Sequence, residues 1–391
     1  MDTGPETTRA SPHLSIPDSS HTVTLQAIDT TLQLYVRAEN FLNPVLPGHE
    51  TWNCPAMAFL ITHPETGRKV LFDAGARKDY WNYSPFTADR FAKGVNVKGL
   101  KIDMGVHDVL SSAGIDLDSL EAVIWSHWHF DHIGDMSRFP SSVKLVVGPG
   151  FKENLLPGYP SNPDSPLLES DYSGRDMQDI RFSETSRIGQ FRAHDFFGDG
   201  SFYLLDVPGH AIGHMCGLAR TTPSTFVLLG ADSCHFAGSL RPSQYLPLPD
   251  TIPGLDSFFP NPCPCEIFST CHPTPKNART QPYYTASTAP KSVYIDPATA
   301  NNSVHWLMEF DASPDVFICL AHDPSLFEVL PLLNADSGAH IGDWKDKGYK
   351  EATRWKFLNE LPRHGRPGRG ALVEGFWRGG ERVGVEVAMR R

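Results

Sequence analysis

The sequence predicts an α/β fold, and two observations support that prediction. Short apolar runs alternate with stretches of helical spacing along most of the 391 residues, a pattern typical of sheets covered by helices. Five of the apolar runs also end in a histidine or an aspartate. Because strand ends are rigid, polar side chains placed there can be brought together at one point.

The first half of the chain contains the earliest of these runs. Residues 23–28 and 32–36 alternate apolar and polar side chains, as strands with one buried face do. Residues 57–62 and 70–72 flank the turn sequence Pro64-Glu65-Thr66-Gly67, which predicts a hairpin that ends at Asp73.

The second half repeats the pattern at three places. Residues 202–207 run into Pro208-Gly209-His210, residues 225–230 run into Asp232, and residues 316–320 run into His322. Helical spacing predicts helices over 102–113, 298–310 and 349–361.

Composition and charge disfavour two classes of partner. The formal net charge is −11, which disfavours nucleic acid and anionic membranes because binding to either needs clustered Lys and Arg. No apolar run approaches the length of a membrane span. The seven cysteines are odd in number and widely spaced, and no signal peptide is recognisable. We therefore expect reduced thiols and an intracellular, cytoplasmic location.

The strongest motif is Ser126-His127-Trp128-His129-Phe130-Asp131-His132, directly after the apolar run 122–125. Imidazole and carboxylate are ligands that zinc and similar divalent metals accept. A histidine-rich surface turn is the alternative. The spacing of four potential ligands behind a buried strand favours a metal site.

The order His-x-His-x-Asp-His, Pro-Gly-His, Ala-Asp and Ala-His resembles that of the metallo-β-lactamase-fold hydrolases, and the resemblance covers residues 22–325. The intervening segments are most similar to the lactonase branch, which includes acyl-homoserine lactonases and fungal relatives that open lactone or lactam rings. The resemblance implies a four-layer αβ/βα sandwich.

Composition and the extent of the resemblance together predict a domain organisation. A disordered N-terminal segment, 1–20, precedes a single domain, 21–391. Long loops are expected at about 77–100, 157–182 and 240–300, followed by a C-terminal extension at about 335–391.

Carried over residue by residue, the family pattern implies two divalent metal ions. His127, His129 and His210 bind the first metal, Asp131, His132 and His322 bind the second, and Asp232 bridges them. Asp73 and His214 support these ligands without binding metal. Zinc is the expected metal for this donor set, with iron or manganese left open.

The implied activity is a metal-dependent hydrolase, in which a hydroxide that bridges the two metals opens a cyclic ester or amide. Asp131 can also carry a proton to the leaving group. His235 occupies the position where acyl-homoserine lactonases have a tyrosine, and either a donor role towards the substrate or simple packing fits it. The alternatives are a thioesterase acting on an acyl thioester and an iron-dependent oxidoreductase of the same fold.

Two further expectations concern neighbouring residues. Cys263-Pro264-Cys265 with Cys271-His272 forms either a second zinc site or ordinary thiols in a loop, and the spacing favours thiols. Trp128 and Phe130, which alternate with the ligands, are expected to point away from them. The sequence leaves the oligomeric state open.

Overall fold

The computed structural model describes residues 9–390, and two six-stranded sheets form its centre. The first sheet has the strand order Thr24–Asp29, Met57–Thr62, Lys69–Phe72, Ala122–Ile124, Lys144–Val147 and Met177–Asp179. The second sheet has the strand order Arg187–Ile188, Phe191–Asp195, Phe202–Asp206, Met215–Thr222, Thr225–Ala231 and Val316–Leu320.

The strand directions place the predicted ligands at one edge of each sheet. In the first sheet, Lys69–Phe72 runs parallel to Ala122–Ile124, so Asp73 and the histidine-rich motif follow neighbouring carboxyl ends. In the second sheet, Val316–Leu320 runs parallel to Thr225–Ala231, so Asp232 and His322 also follow neighbouring carboxyl ends. This arrangement follows from the rule that parallel strands end at the same sheet edge.

Side chains that alternate along the strands form the layers. Phe59 and Ile61 of the first sheet share one buried cluster with Leu204, Leu229 and Phe317 of the second. The intervening residues point to the opposite faces. There, Leu60 and Leu71 belong to the cluster that also contains Val109 and Leu110 of a helix, and the helix Pro297–Ala312 packs on Val316–Leu320. The result is a helix–sheet–sheet–helix sandwich, which confirms the predicted α/β class.

A third sheet, of five strands, joins both ends of the chain. Its strand order is Glu381–Val383, Gly375–Arg378, Val97–Ile102, Leu32–Arg37 and Thr51–Asn53. The strand Val97–Ile102 falls where the sequence predicted the end of a loop and the start of a helix. Lys98 and Lys101 interrupt its apolar pattern, which hid the strand. Two small sheets pair Thr251–Ile252 with Cys263–Pro264 and Leu42–Asn43 with Thr285–Ala286.

The helices are mostly short. The α-helices within residues 9–390 are Pro85–Ala92, Val106–Ser112, Phe130–Ile133, Phe151–Leu155, Glu169–Tyr172, Glu266–Ser269, Pro297–Ala312, Pro324–Val329, Trp344–Lys347, Tyr349–Thr353 and Val385–Ala388. The 3₁₀ turns are Ala38–Asn40, Tyr80–Asn82, Leu117–Ser119, Met136–Arg138, Ala237–Ser239, Pro275–Asn277 and Lys356–Asn359. None of the described helices is long and apolar enough to cross a membrane.

The predicted disordered segment is described in part. Residues 1–8 lie outside the described residues. Residues 9–20 form neither helix nor strand but lie against the second half of the molecule: Leu14 is buried, the Arg9 amide donates to the carbonyl of Gln244, and the Ser11 hydroxyl donates to the carbonyl of Glu309.

Candidate metal centre

The ends of the strands from both sheets meet at one buried point. The predicted ligands all lie there, and each except His129 is buried: His127, His129, Asp131, His132, His210, Asp232 and His322. Their donor atoms form two groups that share Asp232 at the centre.

The first group consists of three imidazole nitrogens that face one another. His127 Nε2 lies 2.9 Å from His129 Nδ1 and 3.1 Å from His210 Nε2. His210 Nε2 lies 2.9 Å from His129 Nδ1. Asp232 Oδ2 completes the group, 3.5 Å from His127 Nε2 and 3.3 Å from His210 Nε2.

The second group lies on the other carboxylate oxygen. Asp232 Oδ1 is 3.0 Å from His132 Nε2 and 3.1 Å from His322 Nε2. Asp131 approaches the same histidines, with Oδ2 3.6 Å from His322 Nε2 and Oδ1 4.0 Å from His132 Nε2. Asp232 therefore presents one oxygen to each group.

The donor set fits a pair of divalent metal ions. Metal–nitrogen bonds of about 2.0–2.1 Å in tetrahedral geometry place donor atoms roughly 3.3 Å apart, close to the separations observed here. His132 Nε2 and Asp232 Oδ1 are also buried without a hydrogen-bond partner. Such atoms are costly to bury unless something satisfies them, and a bound cation does so.

Hydrogen bonds on the far side of the rings orient two of these histidines. His132 Nδ1 lies 2.8 Å from Asp73 Oδ2, and His322 Nδ1 lies 2.6 Å from the carbonyl of Pro55. Donation from Nδ1 leaves the lone pair of Nε2 directed inward. Asp73 is held in turn by Ser126, whose amide and hydroxyl donate to it at 2.8 and 2.9 Å. The Asp73 backbone has φ 62°, a conformation that asparagine and aspartate tolerate better than most residues.

His214 supports the centre from behind Asp232. Its Nδ1 donates to the carbonyl of Val207 at 2.8 Å, and its Nε2 accepts from the backbone N–H of Asp232 at 3.2 Å. Both ring nitrogens are therefore occupied, which leaves no lone pair for a metal.

Burial and neighbouring charge divide the histidines into two kinds. Burial lowers the pKa of His127 and His210 well below the ordinary value and that of His129 to about 3, so these rings are neutral donors. Burial also acts against the charged forms of His132 and His322, but Asp232 and other neighbours outweigh it and raise both pKa values. Burial raises the pKa of Asp232, yet the surrounding histidines hold it well below its usual range.

Close packing of the helix Pro297–Ala312 positions the loop that carries His210. Gly209 has φ 119°, and a Cβ at this position would lie 2.1 Å from the backbone nitrogen of Ala300. The Ser303 hydroxyl donates to the carbonyl of Pro208 at 2.7 Å. The glycine is therefore required for the helix to pack against the loop that carries His210.

A cavity of about 310 Å³ opens onto the candidate centre. Its walls are mainly apolar and include Leu34, Val36, Phe86, Phe91, Trp128 and Phe130. The expectation that Trp128 and Phe130 point away from the site was wrong, because the chain turns sharply there and does not continue as an alternating strand. Asp131 and His235 also line the cavity.

The structure adds a residue that sequence analysis missed. Tyr294 lines the cavity, and its hydroxyl lies 2.8 Å from His235 Nδ1. His235 Nε2 lies 3.1 Å from Asp232 Oδ2. The donor role of His235 towards the substrate stays a prediction. The available signal for Tyr294 was the short apolar run 293–295 at the end of a Pro-rich loop, directly before the helix start Asp296-Pro297.

Another His/Asp group lies away from the centre and is satisfied without a metal. His63 Nε2 lies 2.6 Å from Asp199 Oδ2, and His63 Nδ1 accepts from the backbone N–H of Thr66. The remaining member is His21. No group of potential ligands within residues 9–390 includes a cysteine, so Cys263, Cys265 and Cys271 are free thiols there, the reading that their spacing favoured.

Comparison with known proteins gives consistent results. The family description "Metallo-beta-lactamase superfamily" matches residues 51–230. The chain is 41% identical over 366 residues to the metallo-hydrolase mfmC of Annulohypoxylon moriforme, covering 92% of this chain and 93% of that protein. It is 41% identical over 371 residues to the gamma-lactamase FDB1 of Fusarium pseudograminearum, covering 90% and 86% respectively.

A solved structure shows a similar fold. The crystal structure of a variant of B. thuringiensis AiiA, with N-decanoyl-L-homoserine bound at the active site, aligns with a TM-score of 0.51 at 17% identity. The alignment covers 80% of this chain and 98% of that chain.

Proposed function

The chain belongs to the metallo-beta-lactamase superfamily, and on that premise we propose that it is a dinuclear, zinc-dependent hydrolase that opens a small cyclic amide or ester. Membership of this superfamily of metallo-hydrolases makes the chain an enzyme. The relative named a gamma-lactamase supports a cyclic amide as the first substrate class to test.

The observation that carries this proposal is the division of Asp232 between two donor groups. One oxygen faces His127 and His210, and the other faces His132 and His322. A carboxylate placed in this way is suited to bridge two cations. The excess of neutral imidazole nitrogen over carboxylate favours zinc among common divalent metals.

The chain itself contributes binding and proton transfer. Two divalent ions held by these residues would supply a hydroxide at neutral pH and would polarise the substrate carbonyl. Asp131 lines the cavity beside His322. Its carboxylate can take the proton of the hydroxyl group that has added to the carbonyl and pass it to the leaving nitrogen or oxygen as the ring bond breaks. The apolar walls hold the substrate ring and limit the access of other water.

The location and the partner are part of the same proposal. All seven cysteines are free thiols, which supports a reducing, intracellular compartment. The small, mainly apolar cavity supports a small-molecule substrate.

The test compares Asp232→Ala with His63→Ala. The first change removes the shared carboxylate, and the second removes a buried histidine outside the centre. We expect two metal ions per wild-type chain, loss of at least one metal and nearly all turnover in Asp232→Ala, and retention of both metals in His63→Ala. Metal content is measured by mass spectrometry of the purified protein. Full activity in Asp232→Ala would refute the proposal.

Turnover is measured on a matched panel of lactams, cyclic carbamates, lactones and acyl thioesters. Hydrolysis of the cyclic amides or esters supports the proposal. Hydrolysis of the thioesters alone identifies a thioesterase instead, and one iron per chain with oxygen uptake identifies an oxidoreductase.

A further inference from the structure

We propose that His235 is an eighth ligand of the metal centre and that the Tyr294 hydroxyl orients it. This inference rests on the proposed dinuclear centre. It assigns His235 a role different from a direct hydrogen-bond donor to the substrate, and it assigns a positioning role to Tyr294.

The inward nitrogen of His235 is placed like those of the predicted ligands. His235 Nε2 lies 3.1 Å from Asp232 Oδ2, and the corresponding distance from His210 Nε2 to the same oxygen is 3.3 Å. On the other oxygen, His322 Nε2 lies at 3.1 Å. Donor atoms of His235, Asp232 and His322 all lie within 4.8 Å of one another. The His235 ring is buried and contacts the cavity.

The outward nitrogen follows the same pattern as in two predicted ligands. His132 Nδ1 contacts Asp73, His322 Nδ1 contacts a backbone carbonyl, and His235 Nδ1 contacts the Tyr294 hydroxyl at 2.8 Å. A histidine that binds metal through one nitrogen donates the N–H of the other to an oxygen acceptor. The phenol oxygen of Tyr294 supplies that acceptor, and its own O–H is then free to point into the cavity.

His214 shows the contrasting arrangement. It is also a buried histidine beside Asp232, but its Nε2 accepts a hydrogen bond from the backbone N–H of Asp232. That contact uses the lone pair that a metal needs. His235 Nε2 instead faces a carboxylate oxygen, which carries no proton when ionised, so a cation between the two atoms satisfies both.

Backbone hydrogen bonds hold Tyr294 in place. The N–H of Ile295 donates to the carbonyl of His210 at 3.0 Å, and the N–H of Asp296 donates to the carbonyl of Gly209 at 2.9 Å. On the other side, the N–H of Val293 donates to the carbonyl of Asn40 at 3.0 Å. The segment is thus attached to the loop that carries a predicted ligand, which makes the His235–Tyr294 contact a fixed part of the centre.

The test measures metal binding independently of turnover. The full chain is stripped with a chelator and titrated with Co²⁺, and the visible absorption bands report the donors around each ion. The variants are His235→Gln and Tyr294→Phe, with His63→Gln as the control for loss of a buried histidine elsewhere. Circular dichroism and the Tm in chelator establish that each variant folds.

We expect His235→Gln to weaken binding of one Co²⁺ by about 100-fold or more and to change the absorption bands. Loss of an orienting partner typically lowers metal affinity 10- to 100-fold, so Tyr294→Phe should weaken the same ion by roughly 10-fold. His63→Gln should match wild type in both measurements.

Unchanged Co²⁺ affinity and unchanged absorption in His235→Gln would overturn the inference, and loss of turnover in that case would return His235 to a substrate-binding role. If His235→Gln does not fold, the Co²⁺ affinity and the absorption bands of Tyr294→Phe decide the question in the same way. That variant keeps the aromatic ring of residue 294 and removes only its hydroxyl. A wild-type chain that binds fewer than two ions refutes the proposed function instead.

Discussion

Replacing Asp73 by Asn tests how an orienting carboxylate sets the proton position on a proposed ligand. Asp73 Oδ2 lies 2.8 Å from His132 Nδ1, and Asp73 also accepts two hydrogen bonds from Ser126. The substitution retains size, and asparagine adopts a backbone φ of 62° as readily as aspartate. Any effect therefore arises from exchanging one oxygen for an NH₂ group.

The expected effect on His132 follows from its hydrogen bonds. In Asp73→Asn, the new amide side chain can satisfy the backbone N–H of Ser126 through its oxygen, and its NH₂ group then faces Nδ1 of His132. Nδ1 must accept instead of donate, so the proton moves to Nε2, where a metal needs the lone pair. We expect one metal to bind about 10- to 100-fold more weakly, equivalent to about 1.4–2.7 kcal/mol.

Competition with a coloured chelator measures that affinity in Asp73→Asn, with Asp199→Asn as the matched control. Asp199→Asn makes the same exchange at a carboxylate whose Oδ2 lies 2.6 Å from His63 Nε2, outside the centre, so it should leave metal binding at the wild-type level. Equal affinity in wild type and Asp73→Asn would refute the reasoning, as would an equal loss in Asp199→Asn.

Three other changes have defined outcomes. Burial raises the pKa of Asp171 from 3.8 to about 7, so the folded state retains a proton that the unfolded chain loses. The free energy of unfolding should therefore fall by up to about 4 kcal/mol as the pH rises through 4–7. Urea unfolding of Asp171→Asn should show no such loss. Gly209→Ala places a Cβ 2.1 Å from the backbone nitrogen of Ala300, at a position with φ 119°. We expect the free energy of unfolding, measured in urea, to fall by at least about 2 kcal/mol. Wild-type stability in this variant would contradict the packing argument. Removal of metal by a chelator should lower the Tm, because metal present at about 1,000 times its Kd stabilises the folded state by about 4 kcal/mol. An identical Tm with and without metal would exclude a contribution of metal binding to stability.

The predicted ligands could be found in the sequence because each follows a strand directly. His127, Asp232 and His322 come one to three residues after buried apolar runs, the first run in one central sheet and the other two in the second. Local pattern was therefore sufficient to single them out as candidates, and the family resemblance implied that they form one centre. The same local logic predicted strands such as Met57–Thr62 and Val316–Leu320 and most of the helix Pro297–Ala312, whereas the arrangement of the strands in two sheets came from the resemblance to the metallo-β-lactamase fold.

The cavity wall could not be predicted in the same way, because contacts between distant residues form it. Tyr294 reaches the site only through hydrogen bonds between its neighbours and the loop at His210. Phe86 lines the cavity from the helix Pro85–Ala92, which lies in a segment that the sequence indicated as a loop. The strand Val97–Ile102 completes a sheet with strands from both ends of the chain, a pairing that no local pattern indicates.

The parallel pairing of Thr225–Ala231 with Val316–Leu320 has an evolutionary consequence. Residues 232–315 connect two neighbouring strands, and their final part supplies Tyr294 to the cavity wall. Backbone pairing of the strands, such as Val227 with Phe317, fixes Asp232 and His322 independently of most of this connection. Insertions and substitutions between His235 and Tyr294 can therefore change the shape of the connection while the paired strands keep Asp232 and His322 in place.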